Sequence, residues 1–236
     1  MKTLELLKAR RLSAVAIVIV ALAATVPAFA ASGDHHHSAD EHALASHSHA
    51  AHGHALTARE LAFHDAMRKL WEDHITWTRL AIVSFTSGLP DLKATEARLL
   101  QNQTDIGNAV KPFYGKAAGN QLTALLKQHI LGAVDLMAAA KAGDQARVAK
   151  ASSAWNSNGR KIADFLHSAN PRHWARSDMR KMMQTHLDQT LKEAVDRMKG
   201  HYSAEIRDYD AVHAHILEMA DMLSAGIIEQ FPARFR

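Results

Sequence analysis

The sequence predicts an all-α protein, an up-and-down bundle with four long core helices and about six helical segments in total. Apolar residues recur at three- and four-residue spacing from Leu56 onward, and no stretch alternates with the period of two that marks a strand. Glycine and proline interrupt this pattern only at intervals. Helices joined by such short connections pack as antiparallel neighbours.

The helix boundaries follow from caps and breaks. The predicted segments run from about 57 to 88, 91 to 110, 118 to 142, 145 to 168, 177 to 199 and 203 to 230. Thr57 and Glu60 form a capping box, and Asp91 and Ser177 are the expected N-caps of the second and fifth segments. Pro112 is expected to end or kink the second segment, so that the second and third form a kinked pair.

Residues 1–30 have the pattern of a signal peptide. Four basic residues precede an apolar run, and the small-x-small sequence Ala28-Phe29-Ala30 predicts cleavage after Ala30. The expected product is periplasmic or secreted and has no stable membrane insertion. An uncleaved anchor is the alternative, since the apolar run approaches the length that spans a bilayer.

Residues 31–56 form a compositionally separate segment ahead of the bundle domain, 57–236. Eight histidines lie between His35 and His54 among alanine, serine, glycine and acidic residues. Such a segment lacks the apolar side chains that offset ordering entropy, so it is expected to be disordered. Imidazoles on a flexible chain can capture Zn(II), Cu(II) or Ni(II), and the alternative is a solvated linker.

Charge and cysteine content exclude several classes of function. The formal net charge is +4, but the leader alone carries +3 and leaves +1 for the remainder. That remainder has no basic stripe with interleaved aromatic residues, so no nucleic-acid partner is expected. The absence of cysteine rules out disulfides, thiolate metal sites and covalent haem attachment.

Four histidines, His74, His129, His186 and His213, lie on or beside the apolar stripe of four different predicted helices. A buried polar ring is costly without a partner, so these positions point to an inward-facing polar site. Asp210, one helical turn before His213, adds a carboxylate to the same surface. The five residues are therefore the candidate metal ligands.

Asn102 and Asp105 share one face of the second predicted segment and could orient the imidazoles. Bundle-core metal sites combine carboxylates and histidines from facing helices in this way. The duplicated Glu-x-x-His pattern of di-iron bundles is missing, so no di-iron oxidase is predicted. The alternative is a metal-free network in which each ring is hydrogen-bonded separately.

The helical part resembles a family of small exported bacterial proteins that are all-helical. The resemblance is carried by residues 73–79, 89–91, 98–109, 112–115, 122–130, 183–187 and 209–221. It implies that the candidate residues above belong to the family pattern. Members sometimes carry a glycosyltransferase label, which these residues do not support because no α/β nucleotide-binding pattern is present.

Three functions remain open on this sequence. The first is a non-enzymatic exported protein that binds a transition metal, with Zn or Cu favoured over Fe, through an internal His and carboxylate site with the His-rich segment as a capture arm. The second is a metal-dependent oxidoreductase or hydrolase with its site in the bundle core. The third is a haem-binding or small-molecule-binding module, since one core histidine can serve as an axial ligand.

Overall fold

The computed structural model describes residues 55–236, which form one compact unit. The predicted signal peptide and nearly all of the His-rich segment lie outside the described residues. The described part consists of α1 (Ala58–Ser87), α2 (Leu92–Ala142), α3 (Gln145–Ala169), α4 (Arg176–Met198) and α5 (Tyr202–Gln230), followed by a short 3₁₀ turn at Pro232–Arg234. No strand occurs within residues 55–236, so the predicted all-α class is confirmed.

Helix α1 begins and ends where its sequence signals lie. The Thr57 hydroxyl accepts a hydrogen bond from the Glu60 amide at 3.2 Å, and the Glu60 carboxylate accepts one from the Thr57 amide at 2.7 Å. This capping box pairs two amides that a helix start otherwise leaves unpaired. At the other end Gly88 adopts φ 64°, the left-handed conformation that glycine takes without a Cβ penalty.

Two of the expected boundaries are wrong. Pro112 lies inside α2, and the helical path breaks at Gly115, where φ 84° and ψ 167° form a combination open almost only to glycine. Ser177 lies within the first turn of α4, whose N-cap is Ala175 and has no side-chain hydrogen bond. Asp91 does occupy the N-cap of α2, but its side chain makes no capping bond.

The break at Gly115 turns α2 into a helical hairpin. Its two arms, 92–114 and 116–142, are close enough that a Cβ added to Gly107 would lie 2.6 Å from the carbonyl oxygen of Gly119. The same Cβ would lie 1.9 Å from the hydroxyl oxygen of Thr123. The arms therefore cross in backbone contact, which only glycine at both positions permits. The bundle thus contains six helical segments, as the sequence predicts.

The segments pack in a closed ring. Helix α1 packs against α2 and α5, α2 against α3, α3 against α4, and α4 against α5. The core inside this ring includes Trp71, Trp155, Ile162 and Ile216, all buried. Helices α2 and α5 each contain a stretch long and apolar enough to cross a bilayer, but buried core helices of soluble proteins have the same property. The ring brings one face of every helix to a shared centre.

Candidate functional site

Three of the four candidate histidines meet at the centre of the bundle. His74 from α1, His129 from the second arm of α2 and His186 from α4 are 2%, 4% and 3% exposed. The ring centroid of His186 lies 5.8 Å from that of His74 and 5.7 Å from that of His129. We call these three residues the histidine cluster.

A buried amide fixes the tautomer of His74. The side-chain nitrogen of Gln103 lies 2.9 Å from the Leu99 carbonyl oxygen, 3.1 Å from Asn102 Oδ1 and 3.2 Å from His74 Nδ1. The two oxygens can only accept hydrogen bonds, so this atom is the amide nitrogen, which cannot accept a hydrogen bond from His74 Nδ1. Its two hydrogens are shared among the three acceptors, of which His74 Nδ1 is the most distant. In the neutral ring the hydrogen is therefore on Nε2.

A different amide gives His129 the opposite tautomer. The side-chain nitrogen of Asn158 donates to the Leu125 carbonyl oxygen at 3.1 Å, which leaves Asn158 Oδ1 to accept from His129 Nδ1 at 3.2 Å. The neutral ring of His129 therefore carries its hydrogen on Nδ1 and an unshared electron pair on Nε2. Trp155 stacks on this ring at 5.2 Å between centroids and donates its indole N–H to the His129 carbonyl oxygen.

One ring nitrogen of His186 has no polar partner. Its Nδ1 is buried and receives no hydrogen bond from any residue of the described range 55–236. A buried polar atom left in this state costs about 1–3 kcal/mol. Two of its neighbours are imidazoles, which adds to the polar character of the space around it. Such a ring is expected to serve a ligand or an ordered water that the protein itself does not supply.

A small cavity lies beside the cluster. Its volume is about 20 Å³, enough for one water or one metal ion. Besides the three histidines, its walls contain Trp71, Leu122, Leu126, Ile162, Leu166, Met183 and Met219. Every lining side chain is uncharged at neutral pH. The volume is far below the roughly 300 Å³ or more of a small-molecule pocket.

All three rings are neutral at physiological pH. Burial lowers the pKa of His74 to about 3, and the nearby His129 lowers it further. Burial lowers the pKa of His129 to about 4, against the opposing effect of the hydrogen bond with Asn158. The pKa of His186 falls well below its usual value because of burial and then the charges of His129, His74 and His215. Neutral imidazole is the form that binds metal ions.

The structure places the other candidate residues apart from the cluster or at its edge. Asn102 is buried and belongs to the Gln103 network, where it also donates to the Leu70 carbonyl oxygen at 2.9 Å. Asp105 is half-buried and accepts a hydrogen bond from the exposed Gln101. Asn102 therefore lies on the buried face of α2, and Asp105 lies at the edge of that face.

His213 and Asp210 do not join the cluster. The side chain of His213 is 30% exposed, and its Nε2 lies 3.5 Å from a carboxylate oxygen of Glu72 at the seam between α1 and α5. Asp210 is exposed. The buried stripe of α5 runs through Val212, Ile216 and Met219, which leaves His213 on its flank. Three of the four candidate histidines therefore line one cavity, and His213 lies outside it.

Three residues at the centre were missed by the sequence reasoning. Gln103 and Asn158 are the amides that orient two rings, and Met219 lines the cavity together with Met183. Met183 and His186 are three residues apart on α4, a spacing that already places them on one face of the helix. His215 is half-buried and hydrogen-bonded to the Met182 carbonyl oxygen, yet it is close enough to affect the pKa of His186.

A second buried polar group lies apart from the cavity lining and joins three helices. Glu193 of α4 and Glu205 of α5 are both 0% exposed, and Arg79 of α1 lies 3.3 Å and 2.6 Å from their carboxylates. The Arg79 guanidinium also stacks on the Tyr209 ring at 4.4 Å. Burial raises the pKa of Glu193 to about 7, opposed by the charge of Arg79. Arg79 thus contacts both buried carboxylates, and Arg197 lies 3.8 Å from the second carboxylate oxygen of Glu205.

No three or more His, Asp or Glu side chains of residues 55–236 are placed so that all could hold one metal ion. A metal site in this part of the chain would therefore need fewer histidines or a donor of another kind. No protein-family model, curated protein or solved structure matches the chain.

Proposed function

We propose that this protein is exported and that it binds one transition-metal ion in the bundle core, between His129 and His186. The observation that carries the proposal is the pairing of a partnerless buried imidazole, His186, with an imidazole whose tautomer presents an unprotonated Nε2, His129. A metal-bound histidine commonly donates its other N–H to an oxygen acceptor, as His129 does to Asn158.

The spacing of the two rings supports the proposal. Metal to nitrogen distances of about 2.0–2.1 Å put the centroids of two imidazoles on one ion roughly 5 to 6 Å apart. The centroids of His129 and His186 are 5.7 Å apart. The cavity beside them has about the volume of one water, which suits an ion and leaves no room for haem or an organic substrate.

His74 has a different part in the proposal. Its Nε2 carries a hydrogen as long as the Gln103 amide donates to Nδ1, so it is placed to donate a hydrogen bond and not to coordinate. It would hold a water or anion bound to the ion, or orient the His186 ring. The His-rich segment, residues 31–56, is proposed as the capture arm on the strength of its eight histidines.

The test is a metal titration of the full-length protein with single-residue variants. His129→Leu and His186→Leu should each abolish the tight site, whereas His74→Leu should weaken it by on the order of tenfold. His213→Leu is the matched control, since this histidine lies outside the cluster and should leave the affinity unchanged. Tryptophan fluorescence reports on the core site because Trp155 stacks on His129.

Two results would overturn the proposal. If wild-type protein binds no ion more tightly than His129→Leu does, the cluster is a polar network around one water. If His213→Leu removes the tight site as completely as His129→Leu, the ion lies at the seam between α1 and α5. Thermal unfolding of each metal-free variant shows whether it is folded. His186→Leu should keep or raise the melting temperature because the Nδ1 that it removes is unpaired, whereas His129→Leu and His74→Leu should lower it because each leaves a buried amide without its partner.

A further inference from the structure

The walls of the cavity contain two thioethers and no charged group. Met183 of α4 and Met219 of α5 are 5% and 3% exposed and line the cavity together with the histidine cluster. We infer that the ion held between His129 and His186 is monovalent copper, with the sulfur of Met183 or Met219 as a third donor. This inference rests on the function proposed above and specifies its ligand.

Charge favours a monovalent ion at this position. The free energy needed to move an ion from water into a low-dielectric interior rises with the square of its charge, so a divalent ion loses about four times as much hydration as a monovalent ion of equal size. Buried divalent ions usually recover this loss from carboxylates or thiolates. The imidazole and thioether donors that line this cavity are more than nine-tenths buried and all neutral. The chain also has no cysteine that could supply a thiolate.

The chemistry of the donors favours the same ion. Thioether sulfur is a soft ligand that selects Cu(I), while imidazole binds Cu and Zn alike. Zn(II) in structural sites is almost always four-coordinate, and no carboxylate lines the cavity to complete such a shell. Cu(I) accepts lower coordination numbers, which agrees with two imidazoles and one thioether around a cavity of about 20 Å³.

Helix geometry places one thioether beside a proposed nitrogen donor. Met183 precedes His186 by three residues on α4, so both project from the same face of the helix. Met219 approaches from α5, on the stripe that also contains Ile216 and Leu223. A leucine would fill either position with little change in volume. Substitution by leucine therefore removes the sulfur and keeps the packing.

The experiment compares Cu(I) and Zn(II) binding in the full-length chain. Cu(I) is titrated under a reductant against a chromophoric chelator, Zn(II) is titrated separately, and binding by the His-rich segment is subtracted with His129→Leu. Met183→Leu or Met219→Leu should weaken Cu(I) binding by on the order of tenfold or more and leave Zn(II) binding unchanged. Met179→Leu is the matched control: Met179 is equally buried on α4 but does not line the cavity.

The outcomes separate this inference from the proposed function. If the cluster binds Zn(II) as tightly as Cu(I), and neither methionine variant changes either affinity, the inference fails while the proposed metal site stands. If wild-type and His129→Leu proteins bind both ions equally, both fail. X-ray absorption of the Cu(I)-loaded protein should show a sulfur neighbour that disappears in one of the two methionine variants. A shell of nitrogen and oxygen alone would also overturn the inference.

Discussion

The decisive residues at the smallest scale are two amides. Gln103 and Asn158 each contact the Nδ1 of a buried histidine, but one presents its NH₂ group and the other its oxygen. The two rings therefore carry their hydrogens on opposite nitrogens even though their burial is alike. This difference assigns His129 as a metal ligand in our proposal and His74 as a hydrogen-bond donor. No feature of either histidine alone could make that distinction.

Glu193 shows how a buried charge depends on its partner. Its carboxylate shares Arg79 with Glu205, and burial raises its pKa to about 7, above the usual 4.5. The folded state therefore holds this proton more tightly than the unfolded chain does. The stabilising contribution of the protonated group is fully present below about pH 4.5, and it is lost as the pH rises toward 7.

The variant Glu193→Gln tests this pH dependence. Raising the pH from 4.5 to 7 should lower the free energy of unfolding of the wild-type protein relative to the variant by about 1–3 kcal/mol. The buried histidines act in the opposite sense, since their lowered pKa values destabilise the fold as the pH falls below 6.5, but both proteins share that effect. Chemical denaturation across this pH range gives the difference.

Glu218→Gln is the control for this measurement, because Glu218 is exposed on α5. Its pH dependence should follow that of the wild-type protein. Identical curves for wild-type and Glu193→Gln would mean that the Glu193 carboxyl titrates alike in the folded and unfolded chains. In that case the charge of Arg79 fully offsets the rise in the Glu193 pKa that burial causes.

The hairpin in α2 determines where the histidine cluster forms. Gly115 reverses the chain between the arm that carries Gln103 and the arm that carries His129. The crossing of Gly107 and Gly119 brings the two arms into backbone contact. Because one helix supplies both an orienting amide and a proposed ligand, a change in the crossing would displace both.

Gly107→Ala should destabilise the protein by about 1–3 kcal/mol, because its Cβ would clash with the Gly119 backbone and the Thr123 side chain. The control is Asn108→Ala, an adjacent exposed position in the same arm that should change stability by less than about 0.5 kcal/mol. Thermal or urea unfolding measures both. A Gly107→Ala variant as stable as wild type would show that the arms can separate without loss.

The described bundle and the His-rich segment differ in amino-acid composition. The bundle has a continuous apolar core, while residues 35–54 consist mostly of histidine, alanine, serine, glycine and acidic residues. In our proposal the segment collects ions weakly and the bundle holds one ion tightly. Weak ion binding by the segment and tight ion binding by the bundle can then be measured independently.

Deletion of residues 31–54 should lower the number of weakly bound ions and leave the tight site intact. The melting temperature of the metal-free protein should be nearly unchanged, since the deleted segment has few side chains able to join a core. Equilibrium dialysis with Zn(II) and Cu(II), together with calorimetry, provides the two readouts. A large drop in metal-free stability would show that the segment packs on the bundle, contrary to the predicted domain boundary.

Local sequence signals are enough to predict the fold class, most helix ends and the inward direction of His74 and His129. These features depend on local signals: a capping box, left-handed glycines and apolar residues at helical spacing. Each is a property of one helix and its immediate neighbours in the chain. The break at Gly115 was missed because Pro112 is the stronger local signal for a helix end. The helix nevertheless continues through Pro112 to the break three residues later.

Which helix faces meet depends on how the whole bundle packs. Periodicity placed His213 on the same kind of stripe as His129, yet His213 lies at the seam with α1 while His129 reaches the centre. The sequence pattern also did not predict that Glu193 is buried. Its carboxylate is buried against Arg79, which comes from another helix. A helical stripe spans a broad arc, and the packing angle between helices selects which part of that arc points inward. That angle depends on side chains far apart in the sequence.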